Sequence, residues 1–286
     1  MLPKTAYRIN KEMTRQISKD TTLCMSLSAR PSNFGTRFHN YLYEALGLDY
    51  LYKAFTTTDL SAAIGGVRAL GIRGCAISMP FKEAVIPLVD ELDESARAIA
   101  SVNTLVNTAG RLKAYNTDYL AVGKLLAEHQ VPAEYAFALR GSGGMAKAVA
   151  CALRDAGFRN GTIVARNEAA GRALAGLYGL GWRAEMGDST ADLLINVTPI
   201  GMAGGPEADV LAFNAPAIDA AHMVFDVVAM PPETPLIRAA LRRGKPVITG
   251  AEVFAIQAVE QFVLYTGIRP DDDLFQRAAV FARTPD

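Results

Sequence analysis

The chain has 286 residues, half of them hydrophobic and a fifth charged, with Lys plus Arg and Asp plus Glu at 29 each. That length accommodates one large domain or two moderate ones, and a chain long enough for a sizeable core needs no disulfide or metal staple. Balanced charge gives no global field to draw in nucleic acid or an anionic membrane surface, and no uninterrupted apolar run reaches membrane-spanning length. Residues 1–20 carry Lys4, Arg8, Lys11, Glu12 and Arg15 without an apolar core, which reads as a polar extension and not a secretory leader. Cys24, Cys75 and Cys151 form no CxxC pair and have no histidine beside them, so they read as small buried hydrophobes of a reducing, cytoplasmic protein with no metal site.

Thr22 to Ser28 (TLCMSLS) predicts a first strand, and ARPSNFG after it a loop. A helix is expected from Gly35 or Thr36, because Phe38, Tyr41, Leu42, Ala45 and Leu46 recur at helical spacing before Gly47. Leu51 to Phe55 predicts a second strand, Asp59 caps a helix running to Ala69, and Gly74 to Ser78 predicts a third strand. Strands alternating with helices imply a largely parallel sheet covered on both faces, whose ligands gather in the loops beyond the strand C-terminal ends. Three such loops concentrate polar side chains: Ser26, Ser28, Ser32 and Asn33 in one, Ser78 and Lys82 of SMPFKEAV in the next, and Tyr115 to Tyr119 (YNTDY) in the last. Asn116, Thr117 and Asp118 in the last have the chemistry of helix caps.

The stretch from Tyr135 to Asn167 has the grammar of strand, phosphate loop, helix, strand. An apolar run from Tyr135 to Leu139 leads into Gly141, Ser142, Gly143, Gly144, Met145 and Ala146, then an alanine-rich helix and a second apolar run, Thr162 to Ala165. Glycines there allow backbone to approach a pyrophosphate, while the helix N-terminus offers free N–H groups and a positive dipole end. At the end of the second run a dinucleotide enzyme chooses its cofactor. A carboxylate would accept from a ribose 2′-OH, whereas this chain has Arg166 and Asn167, which suit a 2′-phosphate. NADP(H) is therefore expected in preference to NAD(H).

Six blocks in one order, SMPFKEAVIPLVDELDESARAIASVNTLV, AYNTD, GSGGMAKAV, NVTPIGM, DVVAMPPETPLI and GAEVFAIQAVEQFVLYTG, resemble the shikimate dehydrogenase family, in detail its divergent shikimate-dehydrogenase-like branch. The resemblance runs from about Thr22 to Gly267. It implies a two-domain α/β protein, with a substrate-binding and catalytic domain of residues 1–117 and 252–286 and an NADP-binding Rossmann domain of residues 118–251. It further implies an enzyme of aromatic amino acid biosynthesis that interconverts shikimate and 3-dehydroshikimate, working on a small molecule as a monomer or homodimer. Lys82 and Asp118 match the family's acid–base pair. Ser78, Asn103 and Gln257 match its ring contacts, and Thr198 and Met202 fall in the block that lines the nicotinamide.

The chain also departs from that pattern. Aligning His39 with the family histidine puts Asn33 and Gly35 where a Ser-x-Ser pair holds the substrate carboxylate, leaving Ser32 or Asn33 to substitute, and Ala229 stands where a tyrosine is usual. At the nucleotide, Ala165-Arg166-Asn167 and Ala170 replace Asn-Arg-Thr and a second arginine. One hydrogen bond to a charged group contributes about 1.5–3 kcal/mol, so such losses retune a preference without removing the chemistry. Two other readings follow: a quinate or aminoshikimate-type dehydrogenase with weak shikimate activity, and a non-catalytic nucleotide- or metabolite-binding relic of the fold.

Overall fold

A computed structural model describes residues 17–97 and 99–283, so most of the polar extension lies outside the described residues. In chain order the elements are β1 (Thr22–Leu27), α1 (Asn33–Ala45), β2 (Tyr50–Phe55), α2 (Leu60–Ala69), β3 (Gly74–Ile77), α3 (Phe81–Ala84), β4 (Glu91–Leu92), α4 (Glu94–Arg97), β5 (Thr104–Thr108), β6 (Arg111–Tyr115) and α5 (Thr117–Glu128). There follow β7 (Phe137–Arg140), α6 (Gly144–Asp155), β8 (Gly161–Val164), α7 (Glu168–Tyr178), β9 (Gly181–Arg183), β10 (Leu193–Asn196), α8 (Ala215–Ala220), β11 (Met223–Asp226), α9 (Pro235–Leu241), β12 (Val247–Thr249), α10 (Gly250–Thr266) and α11 (Asp272–Arg283).

The strands form two sheets. The first has the order β2-β1-β3-β5-β6-β4 and is mixed, with β5 antiparallel to both β3 and β6. The largely parallel sheet expected here holds for β1 with β2 and β3 and for the short edge pair β4 with β6, with antiparallel β5 between them. The reason is local: Ala109 and Gly110, at φ 52° and 85°, make a two-residue turn after β5 that a hairpin requires and a crossover cannot use. The second sheet is parallel throughout, in the order β12-β11-β10-β7-β8-β9. That is the doubly wound nucleotide-binding topology, whose switch point lies between β7 and β10.

Both faces of the second sheet are buried, as a central parallel sheet demands. Phe137, Leu139, Ile163, Leu193 and Ile195 face α5, α6 and α7, while Ala138, Val164, Leu194 and Val224 face α8 and α9. The first sheet is covered on one side by α2 and on the other by α1, α10 and α11, so the last two helices return to the half that the chain began. Helix α1 starts at Asn33, two or three residues earlier than its apolar spacing predicts, because Ser32 takes the extended backbone of an N-cap. Cys24, Cys75 and Cys151 are free and buried, and burial pushes the Cys24 thiol up to about 11. No helix among the described residues is long and apolar enough to cross a membrane.

Candidate functional site

The strand ends of the two sheets face a common cavity of about 870 Å³. Lys82 reaches it from α3, a single turn that begins where Phe81 N–H returns to the Ser78 carbonyl at 2.9 Å. The Lys82 carbonyl accepts from Val102 N–H at 2.8 Å, which fixes that turn to the segment leading into β5. Asp118 comes from the first turn of α5. Asn116 is the actual cap of that helix, its side chain accepting from Tyr119 N–H at 3.2 Å, which leaves the Asp118 carboxylate for another partner. That partner is Lys82: its ammonium donates to Asp118 Oδ2, with the two side chains 17% and 5% exposed. The pair is part-buried, and both members line the cavity.

The opposite wall is the glycine loop. Gly141 has φ 129°, and a Cβ there would stand 2.7 Å from Val197 Cγ2, so only glycine lets this loop lie against the segment after β10. Helix α6 starts at Gly144 behind Gly143, with no side chain capping its N-terminal amides. Gly141, Ser142, Gly143, Gly144 and Met145 line the cavity, while Ala146 is fully buried beneath them. Free amides at the positive end of a twelve-residue helix, behind a loop whose only side chain is the short Ser142, make a seat for a phosphate.

The block after β10 forms the next wall, and a buried polar network shapes it. Asn196 Oδ1 accepts from Thr198 N–H and Oγ1 at 3.1 and 2.6 Å, and Asn196 Nδ2 donates to the Ile200 carbonyl and to Asp226 Oδ1 at 3.1 and 3.0 Å. Thr234 Oγ1 donates to Asp226 Oδ2 at 2.7 Å. Burial raises the Asp226 carboxyl to about 6, against the opposing pull of Thr234, Val228 N–H and Asn196. Thr198 and Met202 both line the cavity.

Ser32, Ser78, Gln257, Arg166 and Asn167 line the cavity as well, whereas Asn33 and Asn103 do not. Asn33 is the exposed first residue of α1. Asn103 is 2% exposed, and its atoms are already engaged: Oδ1 accepts from Thr104 Oγ1 and Thr117 N–H, both at 2.8 Å, while Nδ2 donates to Thr117 Oγ1 at 3.0 Å and Gln257 Oε1 at 3.4 Å. It stands one layer behind the wall and orients Gln257. Asn167 is also an N-cap, accepting from Ala170 N–H at 3.0 Å. Arg166 is paired with Glu207 at 3.3–3.4 Å, a carboxylate that no reading of the segment before it anticipates.

Other lining residues were not singled out by sequence. Gln261, one turn after Gln257 on α10, donates to the Asn103 carbonyl at 3.2 Å, and the i, i+4 spacing could have drawn notice to it. Arg30 follows Ser28 in a loop already marked as polar, while Tyr52 and Phe254 carry no signal beyond their apolar patterning. His39 is fully buried and stacked on Tyr52 at 4.4 Å; burial holds it neutral, lowered to about 3. Among the described residues no group of three or more His, Cys, Asp or Glu is placed to hold a metal.

Comparison with known proteins places this arrangement. The family model described as shikimate dehydrogenase substrate binding domain matches residues 33–105. A shikimate dehydrogenase-like protein of Haemophilus influenzae is 58% identical over 268 residues, covering 94% of this chain and 99% of that protein. The shikimate dehydrogenase (NADP(+)) of Pyrococcus abyssi is 36% identical over 253 residues, covering 85% of this chain and 90% of its own. Among solved structures, shikimate 5-dehydrogenase of Thermus thermophilus in complex with NADP(H) and shikimate is 29% identical with a TM-score of 0.81, covering 91% of this chain and 99% of that one. Quinate dehydrogenase of Corynebacterium glutamicum in complex with NAD is 28% identical with a TM-score of 0.81, covering 91% and 98%. Such likeness, along nearly the full length of both sequences and over the same pair of sheets, shows that the chain belongs to the shikimate dehydrogenase family.

Proposed function

We propose that the chain is an NADP-dependent oxidoreductase interconverting shikimate, or a ring hydroxy acid close to it, with the matching ketone, 3-dehydroshikimate for shikimate itself, in aromatic amino acid biosynthesis. The observation that carries this reading is the part-buried Lys82–Asp118 pair on one wall of a cavity whose facing wall is the open glycine loop. The described parts of residues 1–117 and 252–286 then form the substrate side, and residues 118–251 the nucleotide side. The residues present fit a dinucleotide: the uncapped α6 amides suit the pyrophosphate, the Thr198–Met202 wall the nicotinamide, and Arg166, once released from Glu207, the 2′-phosphate end beside Asn167.

Bound in that cavity, the nicotinamide ring supplies the hydride acceptor for oxidation and the donor for reduction. In reduction the Lys82 ammonium hydrogen-bonds the carbonyl oxygen and hands it a proton as alkoxide charge builds; in oxidation the same group takes the hydroxyl proton back. Asp118 keeps the ammonium aimed and shares the hydroxyl contact. Ser28, Ser32, Ser78 and Gln257 offer the short hydroxyl and amide groups that a polyhydroxylated ring calls for. Arg30 lines the same cavity, exposed, and supplies the countercharge for a substrate carboxylate where Asn33 and Gly35 have replaced the serine pair.

The test is turnover of shikimate and quinate with NADP⁺ and with NAD⁺, together with Lys82→Met. Shikimate with NADP⁺ is expected to be the best pair, and the variant to lose about 10²–10⁴ in kcat while binding NADP⁺ as before. Unchanged kcat in Lys82→Met would overturn the mechanism, and no turnover of any ring hydroxy acid the function. The second reading, a quinate dehydrogenase, draws on the likeness to the Corynebacterium glutamicum enzyme and on the altered carboxylate end; quinate outpacing shikimate would favour it.

A further inference from the structure

Arg166 is the one cation in the segment after β8 that faces the cavity, and its partner is the feature the sequence hides. Glu207 lies 41 residues further on, in the loop between β10 and α8, and its carboxylate oxygens meet both Arg166 terminal nitrogens at 3.3 and 3.4 Å. The loop is tied so as to present it: the Glu207 carbonyl accepts from Gly201 N–H at 2.9 Å and from Val210 N–H at 3.2 Å, and Met202 N–H returns to the Pro199 carbonyl at 3.0 Å. Gly201 continues directly from the block that walls the main cavity, so Glu207 is anchored to the same framework as Thr198 and Met202.

Beyond Arg166 the wall opens into a second cavity of about 350 Å³. Its charged lining consists of Arg140, Arg166, Glu185 and Glu207, and the charges cancel in pairs, Arg140 with Glu185 at 2.9 Å and Arg166 with Glu207. Arg172, one turn into α7, is committed to Glu168 at 2.8 Å. Within this lining a 2′-phosphate, close to a dianion at neutral pH, therefore meets no cation that is not already paired: it has to draw Arg166 away from a carboxylate that then stands beside it. A ribose 2′-hydroxyl has no such difficulty, because it donates to the Glu207 carboxylate while Arg166 stays paired.

Resting on the nucleotide reading above, we infer that Glu207 is a specificity-determining residue that competes with the 2′-phosphate for Arg166, weakening NADP(H) and admitting NAD(H) to the same site. The chain thereby uses a carboxylate supplied from across the pocket where NAD-specific sites carry one at the end of the second strand.

Calorimetric titration of the intact chain with NADP⁺ and with NAD⁺, at fixed ionic strength, tests this. Glu207→Gln keeps the side-chain shape and removes the charge. It is expected to tighten NADP⁺ by roughly tenfold, the effect of one like charge near a dianion at a half-exposed site, and to leave NAD⁺ unchanged or weaker. Arg166→Gln is expected to weaken NADP⁺ by roughly tenfold or more and to leave NAD⁺ within about twofold. Circular dichroism on each variant checks that the fold is kept, and Glu207→Ala serves in place of Glu207→Gln if that variant misfolds. An NADP⁺ to NAD⁺ affinity ratio that Glu207→Gln does not move overturns the inference while leaving the nucleotide site standing; no binding of either dinucleotide by the parent chain removes that site, and the inference with it.

Discussion

Single residues at this site matter through what surrounds them. Asp118 sits in the first turn of a helix, a position any acidic residue favours for the dipole, yet the cap is made by Asn116 and the carboxylate is left for Lys82. Asp226 is a second buried acid with a different task, since its oxygens hold Asn196 and Thr234 and so shape the wall after β10. Its folded-state value, about 6, lies above the ordinary 3.8. The folded chain thus keeps a proton that the unfolded chain releases, and the stabilisation is complete below about pH 4 and lost as pH rises through about 6. Measured against Asp226→Asn, the parent should lose roughly 2–3 kcal/mol of stability between about pH 4 and pH 7. Urea unfolding at several pH values reads this, and parallel stability–pH curves for the two proteins would contradict it.

Among the elements, α10 carries the most. It opens with a capping box, Thr249 with Glu252, and presents Gln257 and Gln261 towards the site. Glu260, on the same helix, receives Lys124 of α5 at 2.5 Å and Arg269 through two bonds of 3.0 and 2.8 Å. Burial alone would raise the Glu260 carboxyl, but Arg269 and Lys124 hold it below the usual range. Its contribution is present above the ordinary glutamate range and fades as pH falls. Glu260→Gln should cost about 1–3 kcal/mol at neutral pH and less on acidification, read by chemical unfolding; an equal cost at every pH would remove the charge from the explanation.

Elements were the most legible level of the sequence. The Asp59 cap, the strand–glycine–helix unit at Phe137–Asp155 and the YNTDY start of α5 all stand in local pattern, because caps and glycines act within a few residues. The hairpin that turns the first sheet mixed depended on Ala109 adopting positive φ, which its side chain does not advertise. The pairing of Arg166 with Glu207, and of Asn103 with Gln257, is not legible in the sequence, because separations of 41 and 154 residues carry no periodic signal.

At the scale of the whole molecule, two sheets with separate cores share one cavity, and the ligands expected there should register on different halves. Hydrogen exchange with NADP⁺ should protect amides around Gly141–Ala146 and Val197–Met202, and shikimate those around Ser26–Ser32 and Ser78–Lys82. Saturation at a hundred times Kd should add about 2.7 kcal/mol to stability. Protection by NADP⁺ confined to the first sheet would reverse the assignment of the two halves.

The first sheet has a further property. Its cover on one face comes from α1, near the start, and from α10 and α11, near the end, with Phe38, Leu42 and Tyr43 packed against Phe262, Tyr265 and Ala278. During synthesis all six strands of the second sheet emerge before α10, while the first sheet waits with an apolar flank bare until the last helices are released. Translation stalled after Thr249 should therefore yield a nascent chain whose later segment resists protease and whose earlier segment is cut and engaged by chaperones.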